Sequence, residues 1–143
     1  MKKVLVLNGP NLSRLDLRDQ NVYGVLDYPS IKSAIESHAQ ELGLSADVRQ
    51  SDDETQLIHW IHEAADSKMP IIINPAAFTH YSYAIRDALE MVTSQVIEVH
   101  LSNPMAREEF RHTSVVSGVV TGTIAGFGVD SYLLALQVIA KDS

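Results

Sequence analysis

Three apolar runs in this chain of 143 residues end in amides or imidazoles: Leu7-Asn8-Gly9-Pro10-Asn11, Ile73-Asn74-Pro75 and Val99-His100-Leu101-Ser102-Asn103. Such groups orient polar ligands and move protons. In an open parallel sheet, ligands bind beyond the carboxyl ends of the strands, near the point where strand order reverses. An order of 2-1-3-4-5 makes these three ends neighbours. Strand period adds a pair: Glu98 and His100 stand two residues apart and so share a face. A carboxylate beside an imidazole favours its protonated form and fixes its tautomer, which suits His100 to general-acid work near neutral pH. Spacing alone equally allows the two groups to satisfy one another beneath a loop. Asn11 and Asn74 on the same edge favour the functional reading.

The elements that must hold these side chains alternate strand and helix. Lys3 to Leu7, Ala46 to Arg49, Ile71 to Ile73, Val96 to Leu101 and Val119 to Ala125 are short, apolar or β-branched, and bounded by turn residues. Between them, Ile31, Ala34, Ile35, His38, Ala39 and Leu42 recur at helical spacing, with Pro29 near the start and Gly43 just past the end. Further helical patterns cover Glu54 to Ser67, Ser82 to Val92 and Asp130 to Lys141. The alternation predicts one α/β domain over residues 1–143, a flavodoxin-like doubly wound sandwich with a five-stranded parallel sheet covered on both faces. Two loops are longer than this wiring needs. The stretch from Asn8 to Tyr28 far exceeds the ~2–6 residues such connections usually take and is expected to be a functional lid. The stretch after Leu101 is expected to form a short helical turn that brings Arg107 and Arg111 to the same rim.

Composition narrows the partners. Hydrophobic residues make up 45% and charged residues 20% of the chain, as in soluble globular proteins. No apolar stretch approaches the length of a membrane span and the first residues lack a signal-peptide pattern, so a cytoplasmic protein is expected. The absence of cysteine excludes disulfides, thiolate metal sites and a cysteine nucleophile. A net charge of −7 disfavours nucleic acid, and an anionic small molecule would need a local basic pocket. His59 and His62 lack a third ligand at a known spacing, so no metal is expected. Asp52-Asp53 follows the second strand, whereas receiver domains carry their acidic pair after the first and a further aspartate after the third. Gly126-Phe127-Gly128 reads as a tight strand-to-helix turn, because a dinucleotide fingerprint would need a glycine where Ser131 stands.

Taken in order, Asn8-Gly9-Pro10-Asn11-Leu12, Arg18, Tyr23-Gly24, Ile73-Asn74-Pro75-Ala76-Ala77-Phe78-Thr79-His80, Arg86-Asp87-Ala88-Leu89, Glu98-Val99-His100-Leu101-Ser102-Asn103 and Arg107-Glu108-Glu109-Phe110-Arg111 strongly resemble type II 3-dehydroquinate dehydratases. The resemblance runs nearly the whole chain. It implies the flavodoxin-like fold, a cytoplasmic hydro-lyase of the shikimate pathway to aromatic amino acids, no cofactor or metal, and a dodecamer built as a tetramer of trimers. It also implies roles. Tyr23 matches the base that takes a proton from C2 of 3-dehydroquinate. An ordinary phenol titrates near ~10, so a tyrosine base at neutral pH needs a cation beside it. Arg18 matches that cation, with Arg107 as possible electrostatic support. Asn11 matches a residue holding a water at the enolate oxygen, and His100, oriented by Glu98, matches the acid that protonates the departing hydroxyl. Leu101 and Ser102 match the carboxylate-binding segment; Asn74, His80 and Arg111 match contacts to ring hydroxyls; Asp87 matches a residue lent by a neighbouring subunit.

The chain departs from the family pattern in the lid, where Asp16 stands at a common glycine and Gln20 at a common proline. A carboxylate two residues from Arg18 would compete for its charge, so altered lid dynamics are expected. The alternative to catalysis is a flavodoxin-like binding or assembly module that kept the pocket and lost turnover through this lid. No lysine lies at the mouth of the predicted sheet, which argues against the Schiff-base chemistry of the unrelated type I enzymes.

Overall fold

The computed structural model describes residues 1–23 and 26–142, so Gly24 of the quoted motif lies outside the described residues. Five strands, β1 (Lys2–Asn8), β2 (Leu44–Gln50), β3 (Ile71–Asn74), β4 (Val96–His100) and β5 (Gly122–Ala125), form one parallel sheet in the order β2-β1-β3-β4-β5. The helices are α1 (Gln20–Tyr23), α2 (Tyr28–Glu41), α3 (Glu54–Ser67), α4 (Tyr83–Glu90) and α5 (Asp130–Lys141). Strand order reverses between β1 and β3, and register sets Asn8 directly opposite Asn74 there.

The sheet is buried from both sides because its central strands carry unbroken apolar runs, Val4 to Leu7 in β1 and Ile71 to Ile73 in β3. Val4, Val6 and Ile72 point into one core with Ile35 of α2 and Leu136 of α5. Leu5, Leu7, Ile71 and Ile73 point into the other with Ile61 of α3 and Leu89 of α4. Side-chain alternation along a strand thus divides one apolar run between two layers. Helix starts follow from their capping residues: the side chains of Asp27, Asp53 and Ser82 accept from the backbone N–H groups of Ser30, Thr55 and Ile85. Asp53 is therefore a cap, which accounts for half of the acidic pair after β2. Among the described residues no helix is long and apolar enough to cross a membrane.

Several boundaries differ from those predicted. The last strand begins at Gly122 rather than Val119, because Val119 and Val120 turn to pack on the second core and the Thr121 N–H reaches Val96 O at 2.7 Å before the ladder starts. The fourth strand ends at His100, and the helix predicted from Ser82 to Val92 spans Tyr83–Glu90 with Ser82 as its cap. The segment around Arg107 forms two short 3-10 turns, Pro104–Ala106 and Glu109–His112. The long first loop carries a 3-10 segment at Leu12–Leu17, anchored by buried Leu12 and Leu15, followed by α1.

Gly9 lets the two central strand ends touch. Its N–H donates to Asn74 O at 2.8 Å, and a Cβ on it would stand 2.5 Å from Pro75 O. The obstructing atoms, Pro75 O, Pro75 C and Asn74 O, are all backbone, so a side chain here must push the ends of β1 and β3 apart. Gly9→Ala is expected to destabilise the protein by ~1–3 kcal/mol, the usual range for overpacking, and to weaken ligand binding; urea titration beside ligand titration checks both.

Candidate active site

The site is a cleft of about 640 Å³ at the carboxyl end of the sheet. Its floor is set by β1 and β3. Asn8 is 1% exposed, and its Nδ2 donates to Arg49 O at 3.2 Å. Asn74 is buried at the cleft bottom and holds the next turn through its Oδ1, which accepts from Ala76 N–H at 3.1 Å. Ala76 has φ 53°, a left-handed conformation a non-glycine residue rarely adopts without such support.

One wall is built by β4. Glu98 and His100 share a face, as the period requires, and His100 Nε2 lies 2.7 Å from Glu98 Oε2. Glu98 is wholly buried, yet well satisfied. Thr79 donates to it at 2.6 Å, Ser117 at 2.8 Å, Ser114 at 3.1 Å and Thr123 at 3.4 Å. Burial pushes the Glu98 carboxyl up, but the donations from His100, Thr79 and Ser117 more than offset this and hold it below the usual carboxylate range. An ionised Glu98 only accepts, so His100 must carry a proton on Nε2, leaving Nδ1 as the ring atom free to address a bound molecule.

The opposite wall is the lid. Arg18 Nη2 donates to the Tyr23 hydroxyl, and the Arg18 guanidinium carbon lies 4.3 Å from the Tyr23 ring centroid. Arg107 reaches the same ring from the other loop, at 4.9 Å, while its Nη1 donates to Ser102 Oγ at 3.3 Å. Two guanidiniums therefore stand on one phenol. The lid's root is tied to the sheet by Asp52, which accepts from Asn11 N–H at 2.8 Å and from Gln50 at 3.0 Å. Asn11 itself is left-handed, φ 70°, and lines the cleft.

The rim carries His80 and Arg111. His80 Nδ1 donates to Thr113 O, 2.8 Å away, and burial together with repulsion from His100 and Arg111 holds the ring below the usual imidazole range. A neutral ring with its proton on Nδ1 offers Nε2 as an acceptor. Arg111 is steadied by Glu108 at 3.2 Å.

A profile of the family described as dehydroquinase class II matches residues 2–140. The chain belongs to the class II dehydroquinases. It is 53% identical over 134 residues to a 3-dehydroquinate dehydratase of Mycobacteroides abscessus, covering 94% of this chain and 93% of that one. It is 51% identical to another of that name from Caldicellulosiruptor bescii, across 99% of this chain and 98% of the relative. The crystal structure of a type II dehydroquinase from Propionibacterium acnes superposes with a TM-score of 0.97 at 51% identity, covering 99% of this chain and 98% of that one.

Most residues expected from the sequence converge on this dehydroquinase cleft: Asn11, Arg18, Tyr23, Asn74, His80, His100, Leu101, Ser102, Arg107 and Arg111 all line it, with Glu98 directly behind His100. No lysine does. Asp87 does not reach it; the side chain is 69% exposed on α4, beside Arg86. Asp16 does not compete for Arg18. Its carboxylate is taken by Arg14, with both contacts at 3.1 Å, and the Arg18 guanidinium lies on Tyr23 instead. The sequence reading named Asn8 at a strand end without its partners, and it missed Tyr132 and the hydroxyls around Glu98. Thr123 sits opposite Glu98 in the β4–β5 register, a relation that follows once the strand order is known.

The Glu98 cradle makes a pH prediction. A carboxyl held below its unfolded value of ~4.3 contributes stability above that pH and loses it as pH falls toward the lower folded value, because the unfolded state then binds the extra proton. Wild-type stability should fall more steeply on the acid side than that of Glu98→Gln, measured by denaturant unfolding at a series of pH values.

Proposed function

We propose that this dehydroquinase removes water from 3-dehydroquinate to give 3-dehydroshikimate, with Tyr23 as base and His100 as acid. The observation that carries the reading is the pairing of a phenol under two guanidiniums with a carboxylate-backed imidazole across one cleft.

The substrate's C2 carries protons made acidic by the neighbouring ketone. Tyr23, as phenolate beside Arg18 and Arg107, takes one of them, and the C–H electron pair moves into an enolate. The enolate oxygen is served by a water held at Asn11, so charge develops where a donor already waits. The pair then returns to form the C1–C2 double bond as the C1–O bond breaks. His100 enters this step as an imidazolium, with one proton on Nε2 toward Glu98 and the other on Nδ1; it gives the Nδ1 proton to that oxygen, and water leaves. The proton on Tyr23 returns to His100 through solvent, which resets the site. Base and acid sit on different elements, the lid and β4, which suits the family's anti elimination.

Binding uses the rest of the cleft. The segment Leu101–Ser102 holds the substrate carboxylate, with Arg107 already on the Ser102 hydroxyl. Asn74, the acceptor face of His80 and the fork of Arg111 address the ring hydroxyls. Asp87 acts in a neighbouring subunit's site, within trimers that assemble as a dodecamer.

Mixing the protein with 3-dehydroquinate and following the ultraviolet absorbance of the conjugated enone tests the activity. Tyr23→Phe should lower turnover by ~10²–10⁴-fold while keeping most of the ligand affinity, and His100→Ala should slow loss of the hydroxyl comparably. Binding without product in the wild type would favour the alternative of a binding module. Sedimentation of the wild type is expected to give a particle near twelve times the chain mass of 15.8 kDa. Asp87→Ala should leave that particle intact and raise KM; an unchanged KM would remove Asp87 from the site.

A further inference from the structure

Tyr132 lies on the inner face of α5, 1% exposed, with its hydroxyl at the paired ends of β1 and β3. Four hydrogen bonds run through it in one direction. Ala76 N–H donates to Asn74 Oδ1, Asn74 Nδ2 donates to Tyr132 Oη at 2.9 Å, Tyr132 donates to Asn8 Oδ1 at 2.6 Å, and Asn8 Nδ2 donates to Arg49 O. The two ends are backbone groups whose roles cannot be exchanged: an N–H at Ala76 and a carbonyl at Arg49. The direction of each link is therefore set, and so is the orientation of both amides. Such a chain of donors and acceptors strengthens each link through polarisation.

The orientation matters at Asn74. One of its two amide N–H groups is engaged by Tyr132, and Asn74 lines the cleft with the other left for a bound molecule. Its carbonyl oxygen secures the left-handed Ala76, whose neighbour Ala77 forms part of the same wall. Burial pushes the Tyr132 phenol far up, so it stays a proton donor across the working pH range.

We infer that Tyr132 is a positioning residue for substrate binding: by fixing the Asn74 amide it presents the free Asn74 N–H to a ring hydroxyl and holds the Ala76 wall in place. This rests on the reading of Asn74 as a substrate contact. Tyr132 touches no substrate itself. Its effect belongs in KM, since neither Asn74 nor Ala76 takes part in proton transfer.

The test is a double-mutant cycle in kcat and KM on 3-dehydroquinate, using wild type, Tyr132→Phe, Asn74→Ala and the double variant, with thermal melts of each. Tyr132→Phe should melt cooperatively, raise KM by ~10-fold, as expected for one buried hydrogen bond, and change kcat far less. In the Asn74→Ala background the same change should raise KM little further. An unmoved KM in Tyr132→Phe, or an equal rise in both backgrounds, overturns the inference. Should Tyr132→Phe fail to fold, Asn8→Ala interrupts the relay from its other side and must show the same non-additivity. A wild type without turnover overturns the dehydratase reading and this inference with it; turnover with an unmoved KM overturns this inference alone.

Discussion

A carboxylate with no access to water dictates much of this architecture. Glu98 is wholly buried in the middle of β4, and a charge so placed must be compensated by donors. They come from four directions: the turn after β3 supplies Thr79, the loop before β5 supplies Ser114 and Ser117, β5 supplies Thr123, and β4 itself supplies His100. Each donor fixes the backbone that carries it. The Thr79 turn leads directly to His80, so the carboxylate that orients one imidazole also places the segment bearing the second. Loss of the negative charge would thus loosen elements on both sides of the cleft, beyond its effect on His100.

The lid obeys a different rule. Its 3-10 segment is anchored by Leu12 and Leu15, but α1, which carries Tyr23, buries no side chain fully. The phenol is placed by its half-buried packing against the first core together with the Arg18 and Arg107 guanidiniums, and one of these belongs to the opposite loop. Asp16, at a position where the family commonly has glycine, would have unbalanced this arrangement had its carboxylate faced Arg18. Pairing with Arg14 at the exposed surface neutralises it locally. Such an exposed pair contributes little stability, so its consequence is the freedom it leaves Arg18.

How much of this was visible in the sequence depends on the range of the interaction. The apolar runs at Val4 to Leu7 and Ile71 to Ile73 declared central strands because both their faces are buried, and Pro29 with Gly43 bracketed α2 because helix ends carry local signals. Glu98 and His100 were visible as a pair because a period of two is a local property. The hydroxyls around Glu98 were not: they lie 16 to 25 residues away, and serine and threonine occur throughout the chain for many reasons. Tyr132 was hidden more deeply. It reads as one more apolar position on α5, and its partner Asn8 lies 124 residues distant. The overestimate of the last strand has the same origin, since Val119 and Val120 have strand-like side chains whose burial is met by the second core instead of by the sheet.

The two walls of the cleft therefore combine opposite physical strategies, and the proposed chemistry requires both. An acid must be held in one ring orientation at one distance from the leaving oxygen, and the end of a fully buried strand with a well-satisfied carboxylate beside it provides that. A base that must reach a carbon deep in the cleft cannot be held so, because the same enclosure would bar the substrate. Tyr23 sits on a short helix with no fully buried side chain, and the two guanidiniums over its ring come from two different loops. The proposed base thus sits where guanidiniums from two loops meet over one ring, across the cleft from His100.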